Sequence, residues 1–255
     1  MKFITSLINP EIKLVVALHN AQDRKKHQQF LAEGSRTIST FIEAGWQLEA
    51  LYLTQDAQEK NRVLAEQREH TIVSDAVMKK MSTSTTPSGI LARITIREHD
   101  THQPLKPGLV LARIQDPGNM GTLIRTAAAL ALENIIIIEG CDPYSPKVVQ
   151  ASAGALATVP LVKISWQDFM EKKKNIPLYA LMVRDGKSPE HINLPQGFLV
   201  VGNEAQGIPH EWLKDCNEFL TLDMPGQIES LNAAVAGSIA LYIRYQQHAS
   251  THVPI

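Results

Sequence analysis

Short apolar runs alternate with amphipathic stretches along this chain, and that alternation predicts an α/β protein. In the first hundred residues, positions 28–32, 48–53, 71–73 and 87–94 read as strands. Between them, 11–18 carries a helical pattern, Glu33-Gly34-Ser35 turns into a helix with Ser35 as its N-cap, and Ser74-Asp75 caps and opens another. Beyond residue 107 the alternation repeats at larger scale. Positions 109–111, 135–138, 178–182, 198–201 and 219–222 read as buried strands. Positions 123–132, 146–156 and 231–245 read as helices, the second opening on Pro146. The last of these carries Ala233, Ala234, Ala236, Gly237 and Ala240, a surface small enough for a second helix to approach closely, within the chain or from another subunit. The stretch from Arg97 to Gly108 is polar, holds two prolines and ends in glycine, which suits a linker. The reading is a smaller α/β domain over 1–97, a linker over 98–107 and a larger α/β domain over 108–255.

Composition narrows the function classes. A chain of 255 residues can bury a sizeable core, and 44% hydrophobic with 20% charged residues is ordinary for a globular protein. A net charge of −1 gives no global attraction to nucleic acid, so any such binding must come from local patches. Cys141 and Cys216 stand far apart with no C-x-x-C, which predicts neither a zinc site nor a disulfide framework. The nine histidines show no metal-ligand spacing, so no metal is expected. The first ten residues are too soon interrupted for a signal peptide, and no apolar run is long enough for a membrane span. A cytoplasmic location is expected.

Three loops stand out, each following an apolar run. They are Asp116-Pro117-Gly118-Asn119-Met120-Gly121 running on to Arg125, Gly202-Asn203-Glu204-Ala205-Gln206-Gly207, and Met224-Pro225-Gly226 leading to Ser230-Leu231-Asn232. Backbone-rich loops at strand ends are where α/β sheets bind small ligands. The first is neither a dinucleotide fingerprint nor a phosphate-cradling loop. Its Asn119 can be a simple N-cap, but capping does not account for Arg125, which interrupts an apolar helix and must reach solvent or an anion. Arginine suits phosphate through its planar fork of donors. In the second loop Glu204 is either a solvated charge or part of a ligand site, and spacing alone leaves both open. In the third, Ser230 reads as the N-cap of the last helix, with Asn232 beside it at the entry. Two short basic runs, Arg24-Lys25-Lys26 and Lys172-Lys173-Lys174, read by default as solvated surface.

Taken together and in this order, the three loops closely resemble the three motifs of the SpoU (TrmH-type) family of RNA ribose 2′-O-methyltransferases, over residues 107–246. Asn119 and Arg125 match the first motif; Gly202, Asn203, Glu204 and Gly207 match the second; Gly226 and Ser230-Leu231-Asn232 match the third. One departure lies before the third loop, where Leu222-Asp223-Met224-Pro225 stands in place of the Ile-Pro-Met of many relatives. The resemblance implies a C-terminal trefoil-knotted α/β methyltransferase domain behind an N-terminal L30e/L7Ae-like domain that grips structured RNA. It implies S-adenosylmethionine as cofactor, held by Gly202, Asn203, Gly207, Leu222, Met224, Pro225 and Leu231, and a homodimer as the assembly. Arg125, Asn119, Glu204, Ser230 and Asn232 take the catalytic positions, and Arg24, Lys25 and Lys26 fall where the small domain could meet RNA. Ribosomal RNA is the expected target, with transfer RNA or a non-catalytic RNA-binding protein as the alternatives.

Overall fold

The computed structural model describes residues 2–97 and 104–251, which form two compact units. Most of the stretch 98–107 expected as a linker lies outside the described residues. One unit comprises residues 1–98 with Asp142–Thr158, and the other comprises 99–141 with 159–255.

The strands in chain order are β1 (Lys2–Ile4), β2 (Gln29–Glu33), β3 (Leu48–Leu53), β4 (Thr71–Val73), β5 (Ile90–Thr95), β6 (Leu109–Ala112), β7 (Ile135–Ile138), β8 (Leu161–Lys163), β9 (Leu178–Met182), β10 (Phe198–Gly202) and β11 (Glu218–Thr221). The helices are α1 (Pro10–Ala17), α2 (Ala21–His27), α3 (Ser35–Glu43), α4 (Gln55–Lys60), α5 (Arg62–Gln67), α6 (Asp75–Met81), α7 (Pro117–Ala129), α8 (Pro146–Ser152), α9 (Trp166–Lys173), α10 (His210–Leu213) and α11 (Ala233–Thr251).

The first unit is built on a five-stranded sheet of order β1-β4-β3-β5-β2, in which β5 runs antiparallel to both its neighbours. Its core joins Ile12 and Val15 of α1 and Leu18, which caps that helix, to Leu31, Tyr52, Val73, Leu91 and the α6 residues Val77, Met78 and Met81. Phe30, Phe41, Trp46 and Tyr144 form an aromatic cluster whose rings meet edge-on or tilted at 5.2 to 6.5 Å between centroids. Trp46 ties the segment 142–158 into this unit by donating its indole N–H to the carbonyl of Ala157 at 3.0 Å. Asp142 does the same through Arg24.

The second unit is a six-stranded sheet of order β11-β9-β10-β6-β7-β8, parallel throughout. Strands buried on both faces need continuous apolar runs, and Ile135-Ile136-Ile137-Ile138 supplies one, with all four side chains fully buried. The chain leaves β6 toward β7 and β8 on one side, then crosses to β9 and β11 on the other, with β10 placed between β9 and β6. Because every strand runs the same way, the loops after β6, β9, β10 and β11 emerge at one edge, around a point where the strand order reverses. Such points are where open parallel sheets bind ligands.

Several expected boundaries shift for identifiable reasons. Gly34, not Ser35, holds the capping position of α3 and offers no side chain to it. Helix α7 begins at Pro117, six residues before the expected start, because Asp116 caps it by accepting the Asn119 N–H at 2.8 Å. The expected helix over 146–156 stops at Ser152, where Ala153 turns left-handed at φ 50°, and a separate 3-10 turn spans Ala155–Ala157. Asn232, not Ser230, caps the last helix, its Oδ1 accepting from the N–H groups of Ala234 and Val235 at 2.9 and 3.2 Å. The small-residue face of that helix meets α7 within the same unit: Ala234, Gly237 and Ala240 are buried, and a Cβ on Gly237 would stand 2.6 Å from Leu123 Cδ2. Among the described residues no helix is long and apolar enough to cross a membrane.

Candidate active site

The three loops read from the sequence converge at the edge where β6, β10 and β11 end, and a line of hydrogen bonds joins them. Asn232 Nδ2 donates to Asn119 Oδ1 at 3.0 Å, and Asn119 Nδ2 donates to Glu204 Oε1 at 2.9 Å. The direction of this line is forced. Asn232 Oδ1 is taken by the first N–H groups of α11, so its amide nitrogen must face Asn119. Asn119 must then accept with its oxygen and donate with its nitrogen, and a carboxylate is the fitting end for such a chain because it can only accept. Asn119 is available for this because Asp116 has taken the capping role.

The second loop is built to hold Glu204 there. Asn203 Oδ1 accepts from the N–H groups of Ala205 and Gln206 at 2.9 and 3.0 Å, and Asn203 and Gly207 exchange backbone hydrogen bonds at 2.9 and 3.0 Å. A Cβ on Gly202 would stand 2.5 Å from the Gly207 carbonyl carbon and the Ile208 nitrogen, so the loop closes only over glycine. Gly207 has φ 67°, a left-handed conformation that glycine adopts without strain.

Beside this line lies a partly open pocket of about 110 Å³. Of the residues expected to hold a cofactor, Gly202, Asn203, Gly207, Leu222, Met224 and Leu231 line it, as do Glu204 and Ser230. Pro225 is exposed and does not. Leu181, Met182 and Val183 at the end of β9, with Ala233 and Ala236 of α11, complete the wall and were not foreseen. A strand-end position such as Leu181 carries no local motif, and its neighbour β10 is distant in sequence. Leu181, Val201, Leu222 and Leu231 supply apolar surface and the glycine loops supply backbone groups, a donor set that fits an adenosyl group and an amino-acid tail.

Arg125 lies two turns into α7 on its exposed side and makes no hydrogen bond or ion pair among the described residues. Its charge is free for an incoming anion. Ser230 is likewise exposed and without a partner. Cys216 is half-buried, and burial, with Asp215 alongside, pushes its thiol up to about 12, which disfavours the thiolate. No group of three or more metal-ligating side chains occurs among the described residues.

The basic run in α2 is not uniform. Lys25 and Lys26 are exposed, but Arg24 is 3% exposed and its guanidinium is fully engaged within the first unit. It pairs with Asp142 at 2.6 Å and donates to the carbonyls of Leu18 and His19 at 2.8 Å each. Its expected contact with RNA does not fit this placement, since a phosphate could be met only by breaking a buried ion pair. Lys173, read as solvated, is also buried, its Nζ donating to the Ile176 carbonyl at 2.9 Å in the loop after α9.

Residues 107–242 match the model of the SpoU rRNA Methylase family, and residues 9–92 match that of the MRM3-like substrate binding domain. The chain belongs to the SpoU family. As a member it is an S-adenosylmethionine-dependent RNA ribose 2′-O-methyltransferase. Among its curated relatives is an uncharacterized tRNA/rRNA methyltransferase of Synechocystis, 34% identical over 97% of this chain and 95% of the relative. Another is the 23S rRNA (guanosine(2553)-2′-O)-methyltransferase RlmP of Bacillus subtilis, 28% identical over 95% of this chain and 98% of that protein. The structure is similar to that of the SpoU methyltransferase AviRb from Streptomyces viridochromogenes in complex with the cofactor AdoMet, with a TM-score of 0.85 and 25% identity over 95% of this chain and 99% of that one.

Proposed function

We propose that this enzyme methylates a ribose in ribosomal RNA, with the pocket at the sheet edge as the cofactor site and Arg125 on the RNA side of it. The observation that carries this reading is the one-way hydrogen-bond line from Asn232 through Asn119 to Glu204, which locks all three motif loops into one frame beside the pocket and leaves Arg125 unpaired. S-adenosylmethionine supplies the methyl group on a sulfonium, already a good leaving group. The protein's own task is to place the 2′-hydroxyl and to accommodate the charge that grows on its oxygen. Free arginine is a very poor base, so Arg125 acts by clamping an RNA phosphate and stabilising that oxygen. Glu204, fixed by Asn119, is the acceptor of the network, and Ser230 faces the pocket as a partner for the cofactor or the ribose.

The first unit, matched by a substrate-binding model, grips the RNA, with Lys25 and Lys26 as contacts. The working assembly is a homodimer. Val235, Ile239 and Tyr242 project from one face of α11 and are 47%, 41% and 53% exposed, an apolar stripe at helical spacing that monomers seldom leave bare. The proposed location is the cytoplasm, as for an enzyme of bacterial type.

Single-turnover transfer of labelled methyl to saturating RNA tests the reading, in the presence of a chelator. Arg125→Ala is expected to keep its affinity for S-adenosylmethionine and lose roughly 10²–10³-fold in rate, the scale of losing one preorganised charge-stabilising donor. Lysine restores little, because a point charge does not reproduce the planar fork. Near-wild-type rates for Arg125→Ala would sink the mechanism. Label entering transfer RNA but not ribosomal RNA would overturn the target.

A further inference from the structure

Arg113 is the first residue after β6 and sits at φ 58°, in the left-handed region that long side chains seldom occupy. Such a conformation persists only where the surroundings over-determine it, and it is enriched where local strain serves a site. Here the surroundings are specific. The guanidinium lies 4.7 Å from the ring centroid of Trp212, which is 6% exposed and itself stacked on Trp166 at 4.7 Å with the planes 5° apart. The indole N–H of Trp166 is anchored on Asp215 at 2.8 Å. From the open side, Glu139 takes the guanidinium as a fork, at 2.5 and 3.4 Å, and Glu211 lies 3.9 Å away.

The neighbouring strand end is bent the same way. Glu139 has φ 60°, and the two strand ends are cross-tied by hydrogen bonds from Arg113 N–H to the Ile138 carbonyl and from Cys141 N–H to the Ile114 carbonyl, both at 2.9 Å. An exposed ion pair contributes little by itself. A flat guanidinium held between a buried indole and a carboxylate does more, because it fixes the backbone that carries it.

That backbone has one further partner: the Arg113 carbonyl accepts from Asn203 Nδ2 at 2.9 Å. Asn203 is the residue whose Oδ1 shapes the 203–207 loop, and it lines the pocket. We infer that Arg113 is a positioning residue for cofactor binding: its stack on Trp212 and its pairing with Glu139 set the left-handed turn whose carbonyl anchors Asn203, and through Asn203 the loop that carries Glu204. This rests on the pocket being the cofactor site. Nothing in the motif pattern marks position 113.

Glycine adopts φ 58° freely, so Arg113→Gly removes the side chain without forcing the turn to change. Calorimetric titration of the full-length protein with S-adenosylmethionine, alongside thermal melting, reads the effect. The expected result is a folded protein whose melting midpoint moves by only a few degrees and whose dissociation constant rises about three- to tenfold, the cost of ordering a loop that was held in advance. The KM for cofactor rises in step while the KM for RNA does not. Arg113→Lys keeps the charge but not the flat stack, and recovers part of the affinity. A role in stability alone would lower the melting midpoint and leave the dissociation constant of the folded fraction unchanged; that outcome, or equal affinity in Arg113→Gly and wild type, overturns the inference. Absence of binding by the wild-type protein would instead remove the cofactor reading on which it rests.

Discussion

Asn119 and Asn232 both stand at the start of a helix, yet only Asn232 caps one. The difference is set by the residue before the proline: Asp116 takes the cap of α7, so Asn119 keeps both ends of its amide for other loops. Asp-Pro at the entry to an apolar helix is a cap-and-first-turn signature, and it corrects the reading of Asn119 as that helix's cap. Arg24 was not legible in the same way. Three consecutive basic residues on a short helix give no local sign of which one turns inward, and its partner Asp142 lies 118 positions away. The consequence is testable by stability. Replacing Arg24 with alanine leaves Asp142 Oδ2 and two carbonyls without their arginine donor, Asp142 Oδ1 keeping only the Tyr144 N–H, which costs about 3–5 kcal/mol when one partner of a buried pair is removed. Denaturant unfolding of Arg24→Ala should show that loss. A variant with unchanged stability and weakened RNA binding would return Arg24 to the RNA surface.

At the scale of elements, most strands were legible, the three-residue Thr71–Val73 among them, and two short strands at sheet edges were not. Leu48–Leu53, Ile135–Ile138 and Leu178–Met182 fall where the apolar runs place them. Lys2–Ile4 and Leu161–Lys163 each carry a lysine at one of three positions, and as edge strands they pair on one side only, with β4 and β7. The last helix shows a similar limit. Its small residues announced a close helix contact, and that contact is with α7 inside the unit. The opposite, larger side chains at 235, 239 and 242 are the ones left bare. If they form the dimer seam, Ile239→Glu with Tyr242→Glu places charges in the centre of an apolar contact and should convert the protein to monomers. Analytical ultracentrifugation decides it. A dimer that survives both charges, or a wild-type protein that is monomeric throughout, removes α11 from the interface.

At the scale of the whole molecule, the difficulty is electrostatic. A protein of net charge −1 gains nothing from its global field when it approaches a polyanion, so RNA affinity must come from cations placed where the RNA lies. On α2, once Arg24 is committed to Asp142, Lys25 and Lys26 are the charges that remain exposed. Each lysine that meets a phosphate releases condensed counterions, so removing two should flatten the dependence of log affinity on log salt by roughly 1 to 2 and weaken binding most at low salt. Neither residue lines the pocket, so Lys25→Ala with Lys26→Ala should bind S-adenosylmethionine as the wild type does. Fluorescence anisotropy with a ribosomal RNA fragment across a salt series, paired with a cofactor titration, separates the two effects. An unchanged salt slope would mean that these lysines face solvent in the complex, and the basic contact surface of the small domain would have to be sought on another of its faces.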